Sequence, residues 1–174
     1  MRKLFKLVKP TLSIEKEYIN YITEWESIGD KIVPSASNRD NSTFKELLDK
    51  WKEYESESIY DRGLVPSSLY FLVDESKKIY GAIDIRHELN DYLLQYGGHI
   101  GYGVRPSQRR KGYASQMLSL ALPIAKELGI NKALITCDKN NIGSAKAIMN
   151  NGGILENEIG NENEITQRYW IELD

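Results

Sequence analysis

The stretch HIGYGVRPSQRRKGYASQML, residues 99 to 118, constrains the fold more than any other. Glycines precede it and Pro106 ends its apolar half, so His99 to Val104 reads as a strand, with Gly101 and Gly103 marking a bulge or a close backbone approach. Past the turn, Ala114, Met117, Leu118, Ala121, Ala125 and Leu128 keep helical period from Lys111 to Leu128, with Gly129 as the stop and Pro123 an internal break in the hydrogen bonding. A strand therefore feeds a helix through Arg109, Arg110, Lys111 and Gly112. The first turn of a helix has unpaired N–H groups and partial positive charge, and a glycine there lets an anion approach the backbone. A pyrophosphate fits such a turn, although a solvated basic loop has the same composition.

The rest of the chain supplies partners for this unit. Residues 3 to 8 read as a strand. Ile14, Tyr18, Ile22 and Trp25 mark a helix stopped by Gly29, and Thr43 to Glu46 forms a capping box before the face Phe44, Leu47, Leu48, Trp51 and Tyr54. The runs 69–73 and 79–86 flank a polar turn as a hairpin, with Ile79, Gly81, Ile83 and Ile85 on one face and Tyr80, Ala82, Asp84 and Arg86 on the other. Residues 133 to 137 form a fifth strand, 142 to 151 a helix, and 154 to 158 and 165 to 173 two more strands. This order predicts one α/β domain over residues 1–174, a mixed and mostly antiparallel sheet of six to seven strands with helices on both faces.

Two other phosphate motifs fail on the same residues. The dinucleotide pattern GxGxxG starts at Gly101 and Gly103 but meets Pro106 at its third glycine, and GxxxxGK[ST] is absent. The single cysteine, Cys137, with only two histidines, His87 and His99, gives no metal-ligand spacing, so no metal is expected. No apolar run reaches the ~20 residues of a membrane span and no secretion signal is legible, so a cytoplasmic protein without membrane contact is expected. The net charge of −2 divides unevenly: residues 11–62 carry twelve acids and seven bases, whereas 63–153 carry seven acids and eleven bases. An acidic total without a stacking motif argues against nucleic acid.

Arg109-Arg110-Lys111-Gly112-Tyr113-Ala114 resembles the (Q/R)xxGx(G/A) signature of the GNAT superfamily, the acyl-CoA-dependent N-acyltransferases, led by Val104-Arg105-Pro106. Asn141, Ser144, Ile148 and Gly152 resemble the helix that follows the fifth strand in that family. The resemblance covers residues 69 to 160 well and the first two helices only in order and length. It implies acetyl-CoA in an opening between the fourth and fifth strands, touched by Gly103, Val104, Arg109 to Ala114, Asn141 and Ser144, with a small-molecule or peptide amine as acceptor. A non-catalytic CoA-binding module is the rival, and a homodimer remains open.

Three departures bear on chemistry. Ile148 stands where many members have a tyrosine that protonates the departing thiolate, Gly153 replaces an aromatic, and His99 stands where a glutamate often precedes Ile-Gly. His99, with an ordinary pKa near ~6.5, is the candidate base, its alternative being a histidine bonded inside the sheet. Tyr102 is the second catalytic candidate, though on a regular strand it faces away from His99. Cys137 reads as a small buried residue rather than a nucleophile. Asp84 and Arg86 either orient substrate or form a surface ion pair. Trp25, Trp51 and Tyr54 are core or acceptor-pocket walls.

Overall fold

A computed structural model describes residues 2–174. Strand β1 (Lys6–Val8) leads into α1 (Glu15–Ile28), α2 (Phe44–Tyr54), the hairpin β2 (Ser67–Val73) and β3 (Ile79–Arg86), and β4 (Ile100–Val104). Then come α3 (Tyr113–Glu127), β5 (Lys132–Asp138), α4 (Ile142–Asn150), β6 (Ile154–Gly160) and β7 (Ile165–Glu172). β1 is shorter than its apolar pattern suggests, and α1 begins only after a 3₁₀ turn at Leu12–Ile14. The capping box holds: Thr43 Oγ1 accepts from the Glu46 N–H and Glu46 accepts from the Thr43 N–H. Gly29 closes α1 in the left-handed conformation, and α3 continues past Pro123 without interruption.

The strands form two antiparallel sheets, β1-β2-β3-β4 and β5-β7-β6, where the sequence predicts one. The break falls between β4 and β5. They touch at one end, where the His99 N–H donates to Leu134 O at 2.7 Å, and diverge beyond it. The divergence is what opens a cleft.

The sheets separate two cores. One packs Ile83, Ile85, Ile100 and Ile135 against Met117, Leu118 and Ala121 of α3 and Ile148 of α4. The other packs Tyr18, Ile22 and Trp25 of α1 and Phe44, Leu47 and Trp51 of α2 on Leu69, Phe71 and Ala82. Strict alternation fails at one place in β3. Leu72 pairs with Gly81 but Val73 with Ile79, leaving Tyr80 as an extra residue. This bulge turns Tyr80 onto the α3 side and Ile79 onto the α1–α2 side, the reverse of the sequence expectation.

Candidate active site

The cleft between β4 and β5 has a volume of about 1050 Å³ and is bordered by the start of α3, the start of α4 and the loop after α1. Its size suits a long ligand rather than a small metabolite. Gly112 is the N-cap of α3 at φ 84, so the chain makes a left-handed turn that a side chain would strain. Nothing stands within 4 Å of where its Cβ would be, so the backbone faces open space. No side chain caps α3 and no acid sits in its first turn, whereas Thr43 and Asn141 cap α2 and α4. Its N–H groups are accordingly available to an anion.

Four cationic side chains line the cleft, Lys31, Arg109, Arg110 and Lys146, against one carboxylate, Asp30. Arg109 bonds Asp30 at 2.9 Å and lies 5.0 Å from the centre of the Trp25 ring, which fixes it at the rim. Sequence reasoning misses Lys31 and Lys146. Lys31 lies in a loop with no periodicity, and only the fold brings it opposite α3. Lys146 falls one turn after Ile142, a position the helical period of α4 could have flagged.

Gly103, Val104, Tyr113, Ala114, Asn141 and Ser144 all border this cleft, as do Arg109, Arg110 and Gly112. Asn141 also acts as an N-cap, its Oδ1 accepting from the Ser144 N–H. Lys111 does not join them. Its Nζ turns back to Ser107 O and Gln108 Oε1, because α3 begins at Tyr113 and not at Lys111. Arg105, from the same basic cluster, is buried and pairs with Glu24 at 2.6 Å while donating to Ile79 O, so it ties β4 to α1.

Tyr102 reaches across the cleft from β4, its hydroxyl 2.7 Å from Ser144 Oγ on α4. Burial pushes the phenol up to about 12, so it remains protonated and able to donate. Cys137 is buried close by, and burial pushes its thiol up to about 11, which removes the thiolate a nucleophile requires.

His99 does not reach the cleft, contrary to the sequence expectation. It is 7% exposed, and its Nδ1 accepts from the Leu134 N–H at 2.9 Å. Burial, reinforced by the nearby Arg86 guanidinium, pushes it down to about 4. The ring pins β4 to β5 at the point from which the two strands diverge.

On the α1–α2 side of the sheet lies a smaller chamber of about 390 Å³. Trp51, Tyr54, Leu69 and Leu93 supply its apolar walls, with Asp84 and Arg86 on its floor. The segment from Val33 to Ala36 runs along both spaces, Val33 bordering the cleft and Ser35 and Ala36 the chamber. That passage depends on Gly103, where a Cβ would stand 2.0 Å from Val33 O.

A family model described as an acetyltransferase (GNAT) domain matches residues 10–154. A search among curated proteins finds no match in sequence. Solved structures share the fold at low identity. A ribosomal L7/L12 alpha-N-protein acetyltransferase in complex with coenzyme A superposes with a TM-score of 0.68 at 15% identity, over 98% of this chain and 94% of that one. The microcin C7 self immunity acetyltransferase in complex with acetyl-CoA and AMP gives 0.62 at 17%, over 97% and 92%. The dodecameric spermidine N-acetyltransferase from Vibrio cholerae gives 0.61 at 14%, over 98% and 94%. The uncapped α3 turn, the cleft it faces and the family match over most of the chain agree, and the chain belongs to the GNAT acetyltransferases.

Proposed function

We propose that this protein, working as one domain, moves an acetyl group from acetyl-CoA to a primary amine by direct attack in a ternary complex. The observation that carries the proposal is the uncapped, acid-free N-terminus of α3 opening on a cleft with four cations. The N–H groups after Gly112, with Arg109 and Arg110, would hold the pyrophosphate. Lys31 and Lys146 add charge for the remaining phosphate, and the pantetheine arm would run between β4 and β5 toward Tyr102.

The donor carries the acetyl thioester, and the chain's own groups do the rest. The Val104 N–H, which points from β4 toward the β5 side, is the candidate to hold the carbonyl oxygen as it gains charge, whereas the Gly103 N–H faces its β3 partner Ala82. Tyr102 is the candidate acid. Ile148 is fully buried in the core beneath α4, so the phenol that many relatives bring from that helix is supplied here from β4, reaching Ser144 one turn earlier. His99 becomes a structural residue. Among the described residues no group of three or more His, Cys, Asp or Glu side chains converges on a metal position. The acetyltransferases of similar fold that act on protein N-termini and on spermidine support an amine acceptor. The setting proposed for the protein is cytoplasmic; among the described residues no helix is long and apolar enough to cross a membrane.

Thiol release from acetyl-CoA, followed with and without primary amines, tests the proposal. Amine-dependent release supports transfer. Tight binding of CoA with no amine-dependent release would leave a binding module in place of an enzyme.

A further inference from the structure

We infer that the chamber on the α1–α2 side receives the acceptor, that Asp84 binds its ammonium and takes its proton, and that the acceptor is a small primary amine on an apolar body. This rests on the acetyltransferase reading above. Asp84 is 5% exposed and lines the chamber, yet its Oδ1 has no hydrogen-bond partner. A buried carboxylate oxygen without a donor is costly and uncommon. A purely structural pair with Arg86 would engage both oxygens through the guanidinium fork. Arg86 instead commits Nη1 to the carbonyls of Gly97 and Gly98, and its nearest approach to Asp84 is Nε, 3.3 Å from Oδ2. One oxygen thus lies at ion-pair distance from Arg86 while the other has no hydrogen-bond partner.

The location suits acetyl transfer. Asp84 sits opposite Gly101 in the β3–β4 register, and Gly103, two residues farther along β4, borders the cleft. An amine on Asp84 would lie against the strand whose other end faces the thioester. The charges facing Asp84 are few. Arg86 lies on its own strand, Ser67 on β2 offers a hydroxyl, and Asp40 and Lys50 at the α2 side pair with each other at 3.6 Å. Tyr54 and Tyr92 contribute phenols, and His99, on the far side of Arg86, stays neutral. Trp51, Tyr54, Leu69 and Leu93 would enclose the body of the ligand, and the volume lies at the small end of ligand sites.

Burial pushes the Asp84 carboxyl up to about 6, with Arg86 opposing, so above that pH it is an anion able to receive a proton. The ammonium gives one proton to Asp84, which passes it to solvent. The freed lone pair forms the C–N bond as the carbonyl π pair moves onto oxygen. Collapse breaks the C–S bond, and the second nitrogen proton ends on the departing sulfur by way of Tyr102. The products are the acetamide, the free thiol and one released proton.

The test measures thiol release with phenethylamine and with phenylalanine, which adds a carboxylate to the same skeleton. Phenethylamine should have the higher kcat/KM. Asp84→Asn should lower kcat/KM for it by at least about a hundredfold, with acetyl-CoA affinity within about twofold, and should remove a limb near pH 6. Arg86→Gln, which strips the neighbouring cation, should move that limb to higher pH. A preference for phenylalanine would overturn the substrate class. An Asp84→Asn variant within about twofold of the parent, or one that is slower but keeps the same limb, would overturn the role of Asp84 and leave the acetyltransferase reading standing. A parent that releases thiol with no amine would overturn both.

Discussion

Replacing His99 with alanine separates its two readings, because the structure predicts a large loss of stability and little loss of rate. The substitution leaves the buried Leu134 N–H without its acceptor, which costs about 1 to 3 kcal/mol, and opens a cavity where the ring packed. Together these amount to roughly 2 to 4 kcal/mol, or roughly 5 to 15 °C in melting temperature for a chain of this size. The pH dependence adds a sharper mark. In the folded protein His99 is pushed down to about 4, below its unfolded value near ~6.5, so between these the unfolded state binds more protons. Its contribution is complete above about pH 6.5 and is lost as the pH falls through about 4, an interval worth roughly 3 kcal/mol. Asp84 runs the other way, since a buried acid pushed up to about 6 makes stability fall as the pH rises from about 4 to 6. The parent's own curve is the sum of both, and the informative quantity is the gap between parent and variant. Urea unfolding should show that gap wide at pH 7 and nearly closed at pH 4, with kcat per folded molecule within about threefold. A variant of parental stability whose kcat falls tenfold would return His99 to the chemistry and refute this account of the β4–β5 junction.

Other consequences follow from neighbouring residues. Tyr102→Phe should lower kcat by about tenfold or more with acetyl-CoA affinity kept, and rate measurements across pH would show whether a proton donor has gone. Gly103→Ala should cost about 1 to 3 kcal/mol by pressing on Val33 O, and should raise KM for the amine more than for acetyl-CoA, as steady-state kinetics with each substrate varied would show. Arg105→Ala should cost about 3 kcal/mol or more in urea unfolding, because it removes the charge partner of Glu24 and leaves that carboxylate only the Ser107 N–H, whereas Arg109→Ala at the exposed rim should mainly weaken cofactor binding.

The sequence discloses most of the strand and helix order because local chemistry and periodicity agree there. The Thr43 box, the Gly29 stop and the Gly112 turn each need a backbone conformation or a cap that few residue types other than the one present supply. It does not disclose the split between β4 and β5, since hydrophobic patterning says which face a strand buries and nothing about where two strands part. The bulge at Tyr80 is invisible for a similar reason: an aromatic residue satisfies either face of a strand. His99 misleads because a titratable group at a strand edge looks the same whether its partner is substrate or the Leu134 N–H, 35 residues away. Asp84 and Arg86 are legible as a pair on one face, but that the pair lies buried on a chamber floor depends on α2 and on the segment 33–36 folding over it.

In the proposed mechanism the turn at Gly112 and the start of α3 hold the pyrophosphate of acetyl-CoA. Calorimetric titration of acetyl-CoA into the parent and into Gly112→Glu tests it most directly. The glutamate puts a negative charge into the space facing those N–H groups and strains the left-handed turn by about 1 kcal/mol, a cost that thermal unfolding without ligand measures separately. Micromolar binding in the parent, weakened at least thirtyfold in a folded Gly112→Glu variant, is the expected result; equal affinity in the two proteins would contradict it.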